Sequence, residues 1–239
     1  MKNRKDLLFS LFISIFLTMM ACSGGSDAFV EKGKEMLKQG KTQEAVNYLN
    51  QAIDKDAQNA KAFNMRGVAH FELKDFDNAL LDYEQAIKID SKSYLPLINR
   101  ATLRMEQQDW NAALVDCSQA AILQPDTAEI FIKKGIIEAA LKKPQEAIDD
   151  FDTALKLNPR EINALYNRGN IRFQFKNFDL ALKDFETAIK IDSQFGKAFY
   201  ALGLCQIELK KPEPACYSLK QALKLNYPDA KLAVEKFCK

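Results

Sequence analysis

An all-α fold, a solenoid of six helix-turn-helix repeats closed by a C-terminal helix, is predicted by three registers that run through the chain without insertion or deletion. Gly33, Gly67, Ala101, Gly135, Gly169 and Gly203 stand 34 residues apart. So do Ala45, Ala79, Ala113, Ala147, Ala181 and Ala215, and so do Ala52, Ala86, Ala120, Ala154, Ala188 and Ala222. Self-similarity at one such period marks an array of supersecondary units that bury their apolar faces against one another.

The segment before the array carries an address. Lys2, Arg4 and Lys5 precede a 14-residue apolar run, Leu7 to Met20, that ends at Ala21-Cys22. Bases followed by a short apolar run read as a secretory signal over residues 1–21, since a bilayer span needs about 20 apolar residues. A cysteine directly after a small residue resembles the lipobox of bacterial lipoproteins. That resemblance implies cleavage before Cys22 and lipidation of its thiol and amine, with enough acyl chains for stable anchoring. Residues 22–27 read as a tether, in which Ser23 to Asp27 reach at most about 17 Å when fully extended. The expected location is the bacterial cell envelope, anchored to a membrane close to the solenoid. Ser23, rather than an aspartate, after the cysteine favours the outer membrane, with the periplasmic face preferred.

The array divides into 26–59, 60–93, 94–127, 128–161, 162–195 and 196–229. In the second unit, Phe63, Phe71 and Leu73 surround Gly67, and Phe76, Leu80, Tyr83, Ile87 and Ile89 follow at steps of two to four residues. This is helical spacing twice over, and the polar Lys74-Asp75 between the stretches leaves room only for a tight antiparallel turn. Glycine costs about 1 kcal/mol against alanine inside a helix. Five of them at one register therefore imply a close helix approach, filled by large partners. Two bulky ladders supply candidates: Phe29, Phe63, Leu97, Phe131, Leu165 and Phe199, and Leu49, Tyr83, Cys117, Phe151, Phe185 and Leu219. Prolines agree with these boundaries: Pro96, Pro144 and Pro212 open helices, while Pro125, Pro159 and Pro228 follow helix ends. Residues 230–239 read as a short amphipathic cap, with Ala230, Leu232, Ala233, Val234 and Phe237 on its apolar side.

With its period, its small residues and its closing prolines Pro125 and Pro159, the region 26–229 resembles the tetratricopeptide repeat family. The resemblance implies a right-handed superhelical solenoid and a scaffold function. The chain departs from the family pattern in having no tryptophan early in each unit, and in replacing a usual core tyrosine by Met36, His70, Arg104, Glu138, Arg172 and Gln206.

In such solenoids the first helices line a concave groove. The register then points Asn64, Phe71, Ile98, Asn99, Ile132, Ile136, Tyr166, Asn167, Asn170, Phe173, Tyr200 and Leu204 toward it. Side-chain amides offer a donor and an acceptor to a peptide backbone, and the apolar and aromatic members offer burial, which suits an extended or helical peptide with hydrophobic anchors. A second pattern places a base beside the glycine register and an aspartate in the second helix: Arg66 with Asp82, Arg100 with Asp116, Lys134 with Asp150, Arg168 with Asp184. Both members vanish together in the last repeat, at Leu202 and Ser218. Structural interhelical ion pairs are the expectation.

An exported compartment permits disulfides. Cys216 can pair with Cys238 of the terminal helix, stapling the cap, or with Cys205 of the preceding helix, while Cys117 occupies a core register. His70, the one histidine, also lies at a core register. No Ser/His/Asp, paired-carboxylate or metal-ligand spacing stands apart from the helical registers, so neither catalysis nor a metal or cofactor is expected. All nine glycines are placed, leaving none for a phosphate-cradling loop. Removal of residues 1–21 takes three bases and one acid from 34 and 32, leaving 31 of each. A chain of zero net charge lacks the clustered cations that nucleic-acid binding draws on. Small-molecule substrates are not expected either. The reading is a non-enzymatic envelope scaffold or adaptor that binds a protein or peptide near the membrane. The alternative is an accessory lipoprotein of an outer-membrane assembly or secretion machine, for barrel insertion, pilus or secretin assembly.

Overall fold

A computed structural model describes residues 25–238, and every regular element among them is an α-helix. Residues 25–38 form α1. It is followed by α2 (Thr42–Lys55), α3 (Ala60–Glu72), α4 (Phe76–Ile89), α5 (Leu95–Glu106), α6 (Trp110–Leu123) and α7 (Ala128–Ala140). Then come α8 (Pro144–Leu157), α9 (Ile162–Gln174), α10 (Phe178–Ile191), α11 (Gly196–Glu208), α12 (Pro212–Lys224) and α13 (Ala230–Phe237). The expected signal segment 1–21 and Cys22 lie outside the described residues. The expected tether, 22–27, is shorter than the sequence suggests. Residues 25–27 already belong to α1, and Ser26 is buried, donating from its hydroxyl to the Ala52 carbonyl at 2.8 Å.

The even-numbered helices α2 to α12 bury one stripe. In α4 it is Ala79, Asp82, Tyr83 and Ala86; in α8, Ala147, Asp150, Phe151 and Ala154; in α10, Ala181, Asp184, Phe185 and Ala188. This i, i+3, i+4, i+7 set is one helical face. Its outer alanines let neighbouring helices approach, and the large residue between them meets the glycine of the odd-numbered partner. A methyl built on Gly67 would stand 2.6 Å from Tyr83 Cε1, one on Gly135 2.9 Å from Phe151 Cε1, and one on Gly203 2.7 Å from Leu219 Cγ. The partner is thus the Leu49, Tyr83, Phe151, Phe185, Leu219 ladder alone. The other bulky ladder packs elsewhere, as Phe63 does beneath the Arg66 guanidinium, 5.4 Å from its ring centroid.

Each hairpin turn closes by the same two hydrogen bonds. After α3, Lys74 N–H donates to the Phe71 carbonyl at 3.0 Å and Asp75 N–H to that of His70 at 2.9 Å. This is a Schellman ending, which needs a left-handed residue. Gly40 supplies it once, at φ 73°. Lys74, Gln108, Lys142, Lys176 and Lys210 supply it at φ 58–62°, a conformation that costs a side-chain-bearing residue about 1–2 kcal/mol. Between repeats the chain turns on an acceptor side chain two residues ahead of a backbone N–H. Asp56, Asp90, Asn158 and Asp192 each accept from the residue two ahead, at 2.8–3.1 Å.

The chain forms two compact units, one reaching to Asp109 and the other starting at Trp110. In the first, Val30, Val46, Leu49 and Ala62 make a core with Phe29, Met36 and Met65 at its margin. Ala79, Tyr83 and Leu103 make a second cluster. The second unit has cores around Phe151, Ile132 and Ile171 and around Phe185, Leu202 and Cys205. At its end α13 packs on α12 through buried Ala230 and Ala233.

Candidate functional site

In the second unit α7 and α9 lie side by side with the Phe151 ring of α8 beneath them, and a cleft of about 210 Å³ opens between them. Its walls are Ile136 and Ala139 on one side and Asn167, Asn170, Ile171 and Gln174 on the other. Three of the sequence-predicted groove residues, Ile136, Asn167 and Asn170, are thereby brought together on the first-helix face. Asn167 and Asn170 are half-buried. With Gln174 they offer amide donors and acceptors beside an apolar floor, as a peptide backbone with one buried side chain requires.

Two further clefts continue the same kind of lining. Within the first unit, Asn64 and Met65 meet Lys34, Lys61, Leu95 and Pro96 around about 240 Å³. At the far end of the second unit, Tyr200 and Leu204 face Leu232, Ala233, Lys236 and Phe237 of α13 around about 340 Å³.

Of the other predicted groove residues Ile98 and Ile132 are buried, and the rest are half-buried and engaged by neighbours. Ile98 is 5% exposed and Ile132, 9% exposed, belongs to the core around Phe151. Asn99 donates one amide proton to the Asn64 side-chain carbonyl oxygen at 2.9 Å, so the two amides are tied to each other. Phe71 packs on Phe76 with centroids 5.6 Å apart, and Phe173 on Phe178 at 5.3 Å, both bracing a hairpin turn. Tyr166 lies edge-on to Phe195 at 5.4 Å and near Phe185, with the Lys197 ammonium 4.8 Å from its ring centroid. Tyr200 leans on Tyr227 at 4.9 Å. The repeat register gives the outward direction of these side chains but not the aromatic neighbour that covers each one. Gln174, Ala139 and the α13 residues were missed. Gln174 sits at a register held mostly by charged residues elsewhere, Lys38, Glu72, Glu106 and Glu208, which reads as a solvated face; Ala139 is the small member of the register of Phe71 and Phe173; and the α13 set belongs to no repeat.

In the second, fourth and fifth repeats the base and acid registers meet as interhelical bridges. Arg66 Nε donates to Asp82 Oδ2 at 2.9 Å and Nη2 to Oδ1 at 2.7 Å. Lys134 Nζ lies 2.9 Å from Asp150 Oδ2. Arg168 Nη2 donates to Asp184 Oδ1 at 2.6 Å, and Arg172 Nη1 to Asp184 Oδ2 at 2.7 Å. Asp116 is 1% exposed. The three arginines of this register also reach back sixteen residues to the preceding even-numbered helix: Arg66 to Asn50 at 2.7 Å, Arg100 to Glu84 at 3.8 Å, and Arg168 to Asp152. That second contact was legible as an acceptor ladder at Asn50, Glu84 and Asp152, but it emerges only when neighbouring repeats are laid together.

Glu138 departs from this pattern. Burial, and then a hydrogen bond shared with Asp150, push its carboxyl up to about 7. Its Oε2 has no hydrogen-bond partner among the described residues, and Lys134 stands 3.5 Å from Oε1. Cys216 and Cys238 form a disulfide with Cα atoms 5.3 Å apart. Cys117 and Cys205 are free and buried, and burial pushes their thiols up to about 12 and about 11. Thiols so protonated are poor nucleophiles. His70 is half-buried, its Nδ1 3.2 Å from Asp75 Oδ2. Among the described residues no group of His, Cys, Asp and Glu comes together that could hold a metal ion, and no helix is long and apolar enough to cross a membrane.

Helical hairpins stacked at one period, with clefts between their first helices, define a helical-repeat scaffold. The chain belongs to the tetratricopeptide repeat family: models of that repeat match residues 30–94, 98–162, 162–195 and 197–230. Members of the family are in general non-catalytic scaffolds for contacts between proteins. Among curated proteins, no relative matches the sequence. Solved structures share the fold. Pseudomonas aeruginosa PilF does so with a TM-score of 0.81 and 21% identity, over 91% of this chain and 98% of that one. YrrB, described as a TPR protein with an unusual peptide-binding site, has a TM-score of 0.65 and 19% identity over 79% and 97%. A tetratricopeptide repeat protein from Parabacteroides merdae has a TM-score of 0.66 and 18% identity over 90% and 100%.

Proposed function

We propose that this protein is an adaptor of the bacterial cell envelope, exported and lipid-anchored through Cys22, that holds a peptide segment of a protein partner against the first-helix face of its repeats. The cleft between α7 and α9 carries this reading, because Asn167, Asn170 and Gln174 set three amides along one edge of an apolar floor that the repeats themselves leave open. A short tether after Cys22 would keep the array close to the membrane and restrict it to partners found there. The description of YrrB as having a peptide-binding site supports this use of the fold.

A second reading, an accessory lipoprotein of an outer-membrane assembly machine such as one building a pilus or secretin, is favoured by the fold shared with Pseudomonas aeruginosa PilF over nearly the whole of both chains.

The test is mass spectrometry of what co-purifies with the tagged full-length protein from crosslinked, gently solubilised envelopes, set beside the Asn167→Ala, Asn170→Ala variant. Tyr166 is left intact because its ring packs against Phe185 and Phe195. A stoichiometric partner lost in the variant is the expected result, and its identity separates the two readings. Equal recovery from both proteins would remove this face from consideration. Metabolic labelling with a fatty acid, abolished by Cys22→Ser, is expected for the anchor; labelling that survives the substitution would sink it.

A further inference from the structure

The last base-bearing register is empty, and the structure has an opening there. In the sixth repeat Leu202 stands where Arg66, Arg100, Lys134 and Arg168 stand in repeats two to five, and Ser218 replaces the aspartate. Ser218 Oγ hydrogen-bonds to Gln206 Oε1 at 2.8 Å, closing the floor as a neutral pair. Above it lies a largely apolar cleft of about 450 Å³ between α10 and α12, with Phe199 and Leu202 of α11 as its base and Glu186 and Tyr217 among its walls. That volume is in the range of ligand sites, about 300–1,000 Å³.

What fits this cleft is indicated by the protein's own earlier repeats. Arg66 reaches back to Asn50, Arg100 to Glu84 and Arg168 to Asp152, each sixteen residues before it. Glu186 is the acceptor at that register for the sixth repeat, and the residue sixteen after it is Leu202, which has no charge to give. Glu186 forms no ion pair among the described residues, with Lys190 on the same wall or otherwise. Tyr217 is 65% exposed, an aromatic face on which a guanidinium can stack.

We propose that the cleft between α10 and α12 is a docking site for a protein segment in which an arginine adjoins a bulky apolar residue. The guanidinium takes the place vacated by the missing intramolecular arginine, against the Glu186 carboxylate and the Tyr217 ring, and the apolar neighbour enters over Phe199 and Leu202. A planar fork of donors matches a carboxylate better than an ammonium does, so the site prefers arginine to lysine. This cleft opens between two second helices over α11, lies apart from Asn167 and Asn170, and does not depend on the cleft between α7 and α9 being used.

The experiment pans the full-length protein, in detergent, against a phage-displayed library of random heptapeptides, and then measures the affinity of selected synthetic peptides. Peptides with arginine next to Leu, Ile, Phe or Met are expected to be enriched. Their affinity should fall about tenfold or more, about 1.4 kcal/mol, for Glu186→Gln and for the peptide carrying lysine in place of arginine. It should also fall for Tyr217→Ala and stay unchanged for Asn167→Ala, Asn170→Ala. Glu186 is exposed, so its variant should melt with the parent and report binding alone. Absence of binders, enrichment without arginine, or binders indifferent to Glu186→Gln would each overturn the proposal. Binders lost only in the asparagine variant would overturn it as well, while upholding the first-helix face.

Discussion

Gly135 shows how a single residue decides the spacing of two helices. A methyl there would lie 2.9 Å from Phe151 Cε1 and 3.1 Å from the Ala147 carbonyl oxygen, which is backbone and cannot swing aside. Gly135→Ala should therefore destabilise by about 1–3 kcal/mol through overpacking, although alanine is the better helix former by about 1 kcal/mol. Urea melts of the two proteins would show it, and a more stable variant would refute the close approach. Glu138, one turn further on, makes a prediction about pH. An ordinary glutamate loses its proton near 4.5, whereas burial and Asp150 hold this one to about 7. Between those values the folded state binds more protons than the unfolded, so this residue's contribution lowers stability as pH rises through the window, with the loss complete above it. Glu138→Gln keeps a neutral donor toward Asp150. The variant should melt higher than the parent at pH 8 and lose that advantage below pH 4.5; a constant difference at all pH values would contradict the assignment. The glycine ladder was legible in the sequence because it repeats, and the proton of Glu138 was not, because an isolated glutamate at one register gives no sign of what covers it.

The helices themselves follow from local chemistry, but their ends depend on contacts that only a folded turn makes. Asp75 caps α4 by accepting from Asn78 N–H, and Pro144 and Pro212 open α8 and α12, as the sequence announces for the two prolines. The left-handed residue that ends each first helix is glycine only at Gly40; elsewhere it is mostly lysine, so the usual signal is missing. Lys142→Gly should stabilise by up to about 1 kcal/mol, the gain in the folded turn exceeding the added entropy of the unfolded chain. Thermal denaturation would read it, and a loss of stability would mean that the turn is not strained. The terminal element is the one most dependent on a covalent tie. α13 is only eight residues long, buries Ala230 and Ala233, and is joined to α12 by a disulfide spanning 22 residues. Closing a loop of that length is worth about 3 kcal/mol in the chain-entropy account. Reduction, or Cys238→Ser, should speed amide exchange through α13 while leaving α7 to α9 protected. Protection of α13 unchanged by reduction would show that Ala230 and Ala233 suffice.

At the scale of the whole array, consecutive repeats are tied by more than apolar contact. Arg168 spans three helices, bonding Asp184 of its own hairpin and Asp152 of the one before, and Arg172 adds a second cation to Asp184. Removing one member of a buried network leaves charge uncompensated, so Asp184→Ala should cost about 3 kcal/mol or more. The double replacement Arg168→Leu, Asp184→Ser copies the sixth repeat and leaves Arg172 beside Asp152, 4.0 Å away. It should recover most of that loss, and a double variant as unstable as the single one would mean that the network itself, rather than the stranded charge, holds the repeats together. The sequence by itself determined the period, the number of hairpins, the second-helix core stripe and the ion-pair partners of the second, fourth and fifth repeats. These depend on residues that recur, and recurrence is visible in one dimension. Only the tertiary structure decided which groove side chains line a cleft and which lean on a neighbouring ring. Tyr166, Phe71 and Phe173 share a predicted face with Asn167 and Asn170, yet each packs against an aromatic ring. Whether a side chain is free depends on where neighbouring helices place their own side chains, and that is a property of the packed array rather than of any one register.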